Sequence, residues 1–117
     1  MKLPFLLILL FFNHTMILPN SFDELISKGD SLYAQSDMQN ALNYYEQAYI
    51  IDSSDYHLLF KLTRVCNDLG EYYYELHNEE SSEKVVYSGV DYAERFYSLY
   101  PDSAKVYTYL AWTFGNQ

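Results

Sequence analysis

The sequence has one cysteine, three prolines and four glycines in 117 residues. A single cysteine, Cys66, excludes an intrachain disulfide and a cysteine-based metal site. The four glycines lie far apart, so the sequence contains no glycine-rich loop of the kind that binds phosphate. A lone thiol in an apolar stretch is most often a small core residue, and Cys66 therefore carries no redox argument.

Basic residues are also scarce, with 7 Lys and Arg against 16 Asp and Glu and a formal net charge of −9. The acidic residues are spread along the chain, and no cluster of basic residues interrupts them. Such a surface repels phosphate backbones, so we expect no nucleic-acid partner. Binding to an anionic membrane surface is disfavoured for the same reason.

The N-terminus has a short hydrophobic run in place of a membrane-spanning one. Lys2 precedes an apolar stretch from Leu3 to Phe12, and Asn13, His14 and Thr15 end it. Ten helical residues cover about 15 Å, whereas a bilayer core measures about 30 Å. This pattern predicts a secretory signal peptide over residues 1–21 and export to the periplasm or to the outer face of the inner membrane. Because no small-x-small cleavage site follows, a retained N-terminal anchor close to a membrane is the alternative.

The chain after the leader has a helical pattern. It is 50% apolar and 19% aromatic, with 14 Tyr, which is enough to build a core in one small domain. Apolar residues recur at steps of three and four, and no stretch alternates as a strand does. We therefore predict an all-α fold of antiparallel helical hairpins in one domain, residues 22–117.

Polar and proline residues divide this domain into five helical runs. A turn over 35–37 separates the first two, and residues 52–55 precede a third that begins near Tyr56. Gly70 can break the third run, although the apolar pattern continues to Leu76. Residues 77–82 are polar and predict a loop, followed by a helix over 83–99 that Pro101 ends. A fifth run covers 104–114.

Four residues in the first two runs have a distinctive spacing. Ala41, Tyr45 and Ala48 are separated by steps of four and three, and Gly29 lies upstream. This pattern resembles the tetratricopeptide repeat, a helical hairpin of about 34 residues. The resemblance implies that Gly29 and Ala41 are small so that two helices can approach closely, that Tyr45 fills the space above, and that Ala48 admits the next repeat. A generic helical hairpin is the alternative, since Lys28 and Ser53 depart from the family pattern.

The second and third repeats are less regular. The second begins at Tyr56, but its small residue at the position of Ala41 is Gly89, 14 residues later than a 34-residue repeat requires. We predict a stretched second repeat, with a longer first helix and a loop. The resemblance places Pro101 at the end of the second repeat and Ala111 at a small-residue position of a third that stops at Gln117. We therefore expect about two and a half repeats, and a protein that is part of a longer one or truncated in its gene.

No residue pattern indicates catalysis. The histidines lack the spacing of metal ligands, and no serine or carboxylate pair has the surroundings of a nucleophile or an acid–base group. We predict a protein that is not an enzyme and that uses no cofactor and no metal.

The resemblance implies a concave partner-binding groove made by the first helix of each repeat. Its side chains would mix aromatic and charged groups, which suits an extended peptide. Packing between repeats is an equally good account of the larger ones. The predicted groove residues are Ile26, Asp30, Tyr33, His57, Phe60, Arg64, Asn67 and Trp112.

These observations favour an exported helical-repeat scaffold that binds an unidentified protein or peptide. The sequence is also loosely similar to periplasmic repeat proteins associated with substrate-binding transporters. The second hypothesis is therefore an accessory subunit of a periplasmic solute-uptake system, which would oligomerise through the third repeat. A membrane-anchored assembly factor is the third hypothesis, favoured if the leader is retained.

Overall fold

A computed structural model describes residues 21–103, which form four α-helices and no β-strand. The helices are α1 (Phe22–Ala34), α2 (Met38–Ile51), α3 (Tyr56–Glu75) and α4 (Glu79–Leu99). Consecutive helices pack against each other, so the chain forms two successive hairpins, α1–α2 and α3–α4. The all-α prediction is confirmed. The fifth run and Ala111 lie outside the described residues.

Each helix begins at a polar residue whose side chain accepts a hydrogen bond from a backbone N–H of the first turn. Ser21, Asp37, Asp55 and Asn78 serve as these caps, the shortest bond being 2.8 Å from the Leu58 N–H to Asp55. Such bonds satisfy N–H groups that have no partner within the helix. The polar breaks in the sequence therefore set the helix starts.

The tips of the two hairpins have the same backbone geometry. Ser36 and His77 have positive φ angles of 62° and 58°. In each tip the next residue, Asp37 or Asn78, donates its N–H to the carbonyl five residues earlier at 2.9 Å. This arrangement closes a helix and satisfies its last carbonyl groups. Both hairpins thus turn in three residues.

The prediction of a loop over residues 77–82 was wrong, because only Leu76, His77 and Asn78 connect α3 to α4. Glu79 and Glu80 form the first turn of α4, where carboxylates interact favourably with the positive end of the helix dipole. A strongly polar segment was mistaken for a loop although it is a well-capped helix start.

The second hairpin is stretched by helix length alone. The third helix α3 has 20 residues against 13 in α1, and α4 has 21 against 14 in α2. Each helix of the second hairpin is therefore seven residues longer, about two helical turns. Gly70 lies inside α3 and does not break it.

The core of the described chain runs between the helices in two clusters. The larger one joins α1, α2, α3 and the first half of α4, and Tyr45 is its largest fully buried side chain. The smaller one lies at the other end of α4, where Leu59 and Phe96 are buried beneath Tyr49, Tyr56, Phe60 and Tyr100. The two clusters fix the relative position of the hairpins, and so of the helices that carry the candidate site.

Close approach between paired helices depends on small residues at the predicted positions. A methyl group added to Gly29 would lie 2.7 Å from Cδ1 of Tyr45, and one added to Gly89 would lie 2.9 Å from Cβ of Cys66. Ala41 and Ala48 are fully buried. Pro101 is exposed just after α4.

Candidate binding face

Side chains of α1 and α3 meet across one face of the chain through Asp30. The Lys61 Nζ donates to both carboxylate oxygens of Asp30 at 2.7 Å, and the Tyr45 hydroxyl from α2 donates to Oδ1 at 2.6 Å. The carboxylate therefore links three helices. Because its side chain is 43% exposed, the ion pair is partly screened by water.

A second contact between the same helices lies one turn further along. The Tyr33 hydroxyl donates to Asp68 at 2.5 Å, and the Arg64 guanidinium lies over the Tyr33 ring at 4.0 Å from its centroid. The same guanidinium lies 5.5 Å from the Phe60 ring centroid. We call these five residues, Asp30, Tyr33, Phe60, Arg64 and Asp68, the α1/α3 face.

The Arg64 guanidinium is held by the two rings. Its Nε is buried and has no hydrogen-bond partner among the described residues. Stacking of a guanidinium on aromatic rings fixes its plane and lowers the entropy that it loses on binding an acceptor. The residue as a whole remains partly exposed. The α1/α3 face therefore presents a cation in a fixed orientation.

The structure brings together four of the predicted groove residues, Asp30, Tyr33, Phe60 and Arg64. Ile26 is half-buried against the larger core cluster. His57 is exposed at the start of α3, with its ring 5.3 Å from that of Tyr56.

Two predicted groove residues do not contribute to this surface as described. Asn67 is only 4% exposed and lies where α3 meets α4, near Gly89, so it is not available to a partner. One side of α3 packs against α4, and Asn67 lies on that side. Trp112 lies outside the described residues.

Sequence reasoning missed two groups that hold Asp30 in the α1/α3 face, the Lys61 ammonium and the Tyr45 hydroxyl. A signal for the first was present, since Lys61, Arg64 and Asp68 follow at steps of three and four and thus share one side of a helix. The Tyr45 hydroxyl had none, because Tyr45 was assigned to packing alone.

Two tyrosine hydroxyls bind carboxylates in partly buried positions. Burial raises the pKa of Tyr45, and its hydrogen bond to Asp30 raises it further. Burial likewise raises the pKa of Tyr92, whose hydroxyl donates to Glu46 at 2.9 Å. In both cases the proton is held more tightly in the folded chain than in the unfolded one.

This arrangement predicts loss of stability at alkaline pH. An unfolded tyrosine has a pKa of about 10, so the stabilisation is fully present below that pH and is lost as the pH rises above it. We expect the free energy of unfolding, measured by urea titration at several pH values, to fall more steeply in the wild type than in Tyr45→Phe. Tyr74→Phe is the matched control, because Tyr74 is 70% exposed. Equal slopes for all three proteins would contradict the prediction.

Other reactive groups form no site in the described chain. Cys66 is fully buried, and burial raises the pKa of its thiol, so it is a core residue. Among residues 21–103 no group of three or more His, Cys, Asp or Glu side chains is placed to hold a metal ion.

Comparison with known proteins gives one family. The family model described as regulator of microtubule dynamics protein 1-3 matches residues 25–117, more than three quarters of the sequence. No curated protein and no solved structure gives a significant match. The matching description is not that of the tetratricopeptide repeat, so the resemblance to that family stays a prediction. The chain belongs to the family of regulator of microtubule dynamics proteins 1-3.

Proposed function

We propose that this chain is a binding module that holds an extended segment of another protein against the α1/α3 face. The observation that carries the proposal is the Arg64 guanidinium, stacked on Tyr33 and Phe60 and partly exposed. Aromatic rings and an oriented arginine are the side chains that most often dominate protein interfaces. The module binds and performs no chemistry of its own.

Preorganisation of the face supports this role. Tyr33 is tied to Asp68, and Asp30 is tied to Lys61 and Tyr45 before any partner arrives. A partner therefore meets side chains that have already lost much of their freedom, which reduces the entropy cost of binding. The carboxylates of the face have donors within the chain, and the partly exposed Arg64 guanidinium supplies the cation that recognises an acceptor group on the partner.

The family description fits a protein that acts by binding other proteins, since control of microtubule dynamics is exerted on a protein polymer. We extend only this class of action to the chain. The repeat likeness to tetratricopeptide proteins is part of the same proposal and is supported by the small residues where helices approach closely.

Export remains part of the proposal through the predicted leader, which falls almost wholly outside the described residues. No helix described over residues 21–103 is long and apolar enough to cross a membrane. The intact mass of the protein from its native host tests export. A mass that begins near Ser21 supports it, and a mass that includes Met1 favours the anchored alternative.

The binding role is tested with peptides selected from a random displayed library on the full chain. We expect the selected peptides to bind the double variant Phe60→Ala, Arg64→Ala about tenfold more weakly than the wild type. The measurement is the Kd by fluorescence anisotropy, with the folded state of each protein checked by circular dichroism.

The matched control changes an aromatic and a base away from the face. Tyr74 and Lys84 are exposed, and Tyr74→Ala with Lys84→Ala removes the same kinds of group and the same charge. We expect its Kd to stay at the wild-type value. Equal binding to the two double variants, or a failure to enrich any peptide, would overturn the proposal.

A further inference from the structure

The last two turns of α3, together with the C-cap residue Leu76, carry a second exposed surface that continues from the α1/α3 face. An α-helix advances about 100° per residue, so Asp68, Glu71, Tyr72, Glu75 and Leu76 fall within an arc of about 140°. We call these five residues the α3 terminal face. The bond between Tyr33 and Asp68, close to the end of α1, joins this surface to the α1/α3 face.

Large apolar groups on this surface are open to solvent. Tyr72 is 53% exposed and Leu76 is 57% exposed, and the two are one helical turn apart. Glu71 and Glu75 lie beside them and are also exposed. An exposed apolar pair flanked by charges of one sign is a pattern of partner surfaces.

The charges of this segment are one-sided. Between Asp68 and Glu83 the sequence has six acidic residues and neither Lys nor Arg. The last turn of α3 has no basic residue, although the carbonyl end of a helix carries partial negative charge and is stabilised by cations. Glu71 and Glu75 thus lie where carboxylates are unfavourable, and a cationic partner would remove that cost.

We propose that the α3 terminal face docks a basic amphipathic segment of a partner protein. The apolar side of that segment packs on Tyr72 and Leu76, and its lysines or arginines pair with Glu71 and Glu75. This inference rests on the proposed binding role and adds the chemistry of the partner. The present sequence does not supply such a segment, since residues 1–20 contain one base, Lys2, and residues 104–117 contain one, Lys105.

The test uses a synthetic peptide with lysine and leucine at helical spacing, and an analogue in which every lysine is glutamate. The full chain binds the lysine peptide, and binding weakens as salt rises because exposed charges are screened. Glu71→Gln with Glu75→Gln weakens it about tenfold, and Tyr72→Ser with Leu76→Ser has a similar effect. The Kd of each protein is measured by anisotropy at low salt.

The control pair, Asp91→Asn with Glu94→Gln, removes two exposed carboxylates from α4 and gives the same net charge. Its Kd stays within about twofold of the wild type, because the α3 terminal face is intact. An equal loss in both pairs would show attraction by net charge alone and would overturn the inference. No binding of the lysine peptide, or equal binding of its glutamate analogue, would also overturn it.

Different measurements test the binding role of the α1/α3 face and the preference of the α3 terminal face for a basic partner. The double variant Phe60→Ala, Arg64→Ala keeps the four residues that contact the basic segment, Glu71, Tyr72, Glu75 and Leu76, so it keeps its affinity for the lysine peptide. If only the selected peptides depend on Phe60 and Arg64 while the lysine peptide binds nowhere, the binding role stands and the inference about a basic partner is wrong.

Discussion

We expect Gly29→Ala to lower the free energy of unfolding by about 2 kcal/mol, although the substitution improves helix propensity. The added methyl group would lie 2.7 Å from Cδ1 of Tyr45 and closer still to Cε1. The ring has little room to move, because it is fully buried and its hydroxyl is bound to Asp30. Alanine is favoured over glycine in a helix by about 1 kcal/mol, whereas overpacking costs about 3 kcal/mol. The expected net loss of stability is therefore about 2 kcal/mol. Urea unfolding followed by circular dichroism measures the difference.

Two further variants separate the clash from the propensity. Ser27→Ala changes an exposed position of α1 and should alter stability by less than about 0.5 kcal/mol. In a Tyr45→Leu background the ring is absent, and Gly29→Ala should then cost little or become stabilising. If Gly29→Ala is equally harmful with and without the ring, close packing on Tyr45 is not the reason for this glycine.

The Gly29 variant also connects packing to function. A shift of α1 away from α2 displaces Asp30 and Tyr33, the two residues that α1 contributes to the α1/α3 face. We therefore expect the peptides selected on the wild type to bind this variant more weakly, in contrast to Ser27→Ala. The same small residue that sets the distance between two helices thereby positions the candidate binding surface.

Local chemistry in the sequence was enough to predict the class and most boundaries. The capping residues Asp37 and Asp55 and the stop before Pro101 were visible as polar or proline breaks. The start of α4 was not predicted, because the polar residues Asn78, Glu79 and Glu80 fit a loop as well as they fit a capped helix start. The helical start is favoured by a contact between helices, since the Ser82 hydroxyl donates to the Gly70 carbonyl of α3 at 2.8 Å. Residues so far apart in the sequence give no local signal of this bond.

The irregular second repeat has a simple geometric origin. Both of its helices exceed their counterparts in the first hairpin by the same whole number of turns, about two, so side chains return to the same sides of their helices. The two hairpin tips keep the same backbone geometry. Before the second tip Gly70 faces Val86, as Gly29 faces Tyr45 before the first. The discrepancy in repeat length is therefore the sum of two equal helix extensions.

Half of the predicted groove formed a cluster, and the reason lies in distance along the chain. Repeat position alone placed Asp30, Tyr33, Phe60 and Arg64 on the same side. It gave no information on which side chains of α1 and α3 would form hydrogen bonds. Lys61 and Asp30 are 31 residues apart, and Tyr33 and Asp68 are 35 apart. Asn67 shows the converse error, since it is buried on the side of α3 that packs against α4 near Gly89.

Arg95→Ala should lower the free energy of unfolding by about 1–2 kcal/mol through loss of a link between the two hairpins. From α4 its Nε donates to the Ser53 carbonyl at 2.6 Å, and its Nη2 donates to the hydroxyls of Ser53 at 2.9 Å and Ser54 at 3.2 Å. Tyr100 donates to the Ser54 carbonyl nearby. These bonds join the end of α4 to the connection between α2 and α3.

The shape of the guanidinium makes the prediction specific. Arg95→Lys keeps the charge but replaces the planar guanidinium and its several N–H donors with one ammonium group. It should therefore recover less than half of the stability that Arg95→Ala loses. Lys84→Ala removes an exposed base from the same helix and should cost less than about 0.5 kcal/mol. Urea unfolding gives these values, and hydrogen exchange at Ser54 and Asp55 shows whether the connection has loosened. Equal losses in Arg95→Ala and Lys84→Ala would mean that the Arg95 bonds do not hold the hairpins together, and that the two core clusters alone set their relative position and so the α1/α3 face.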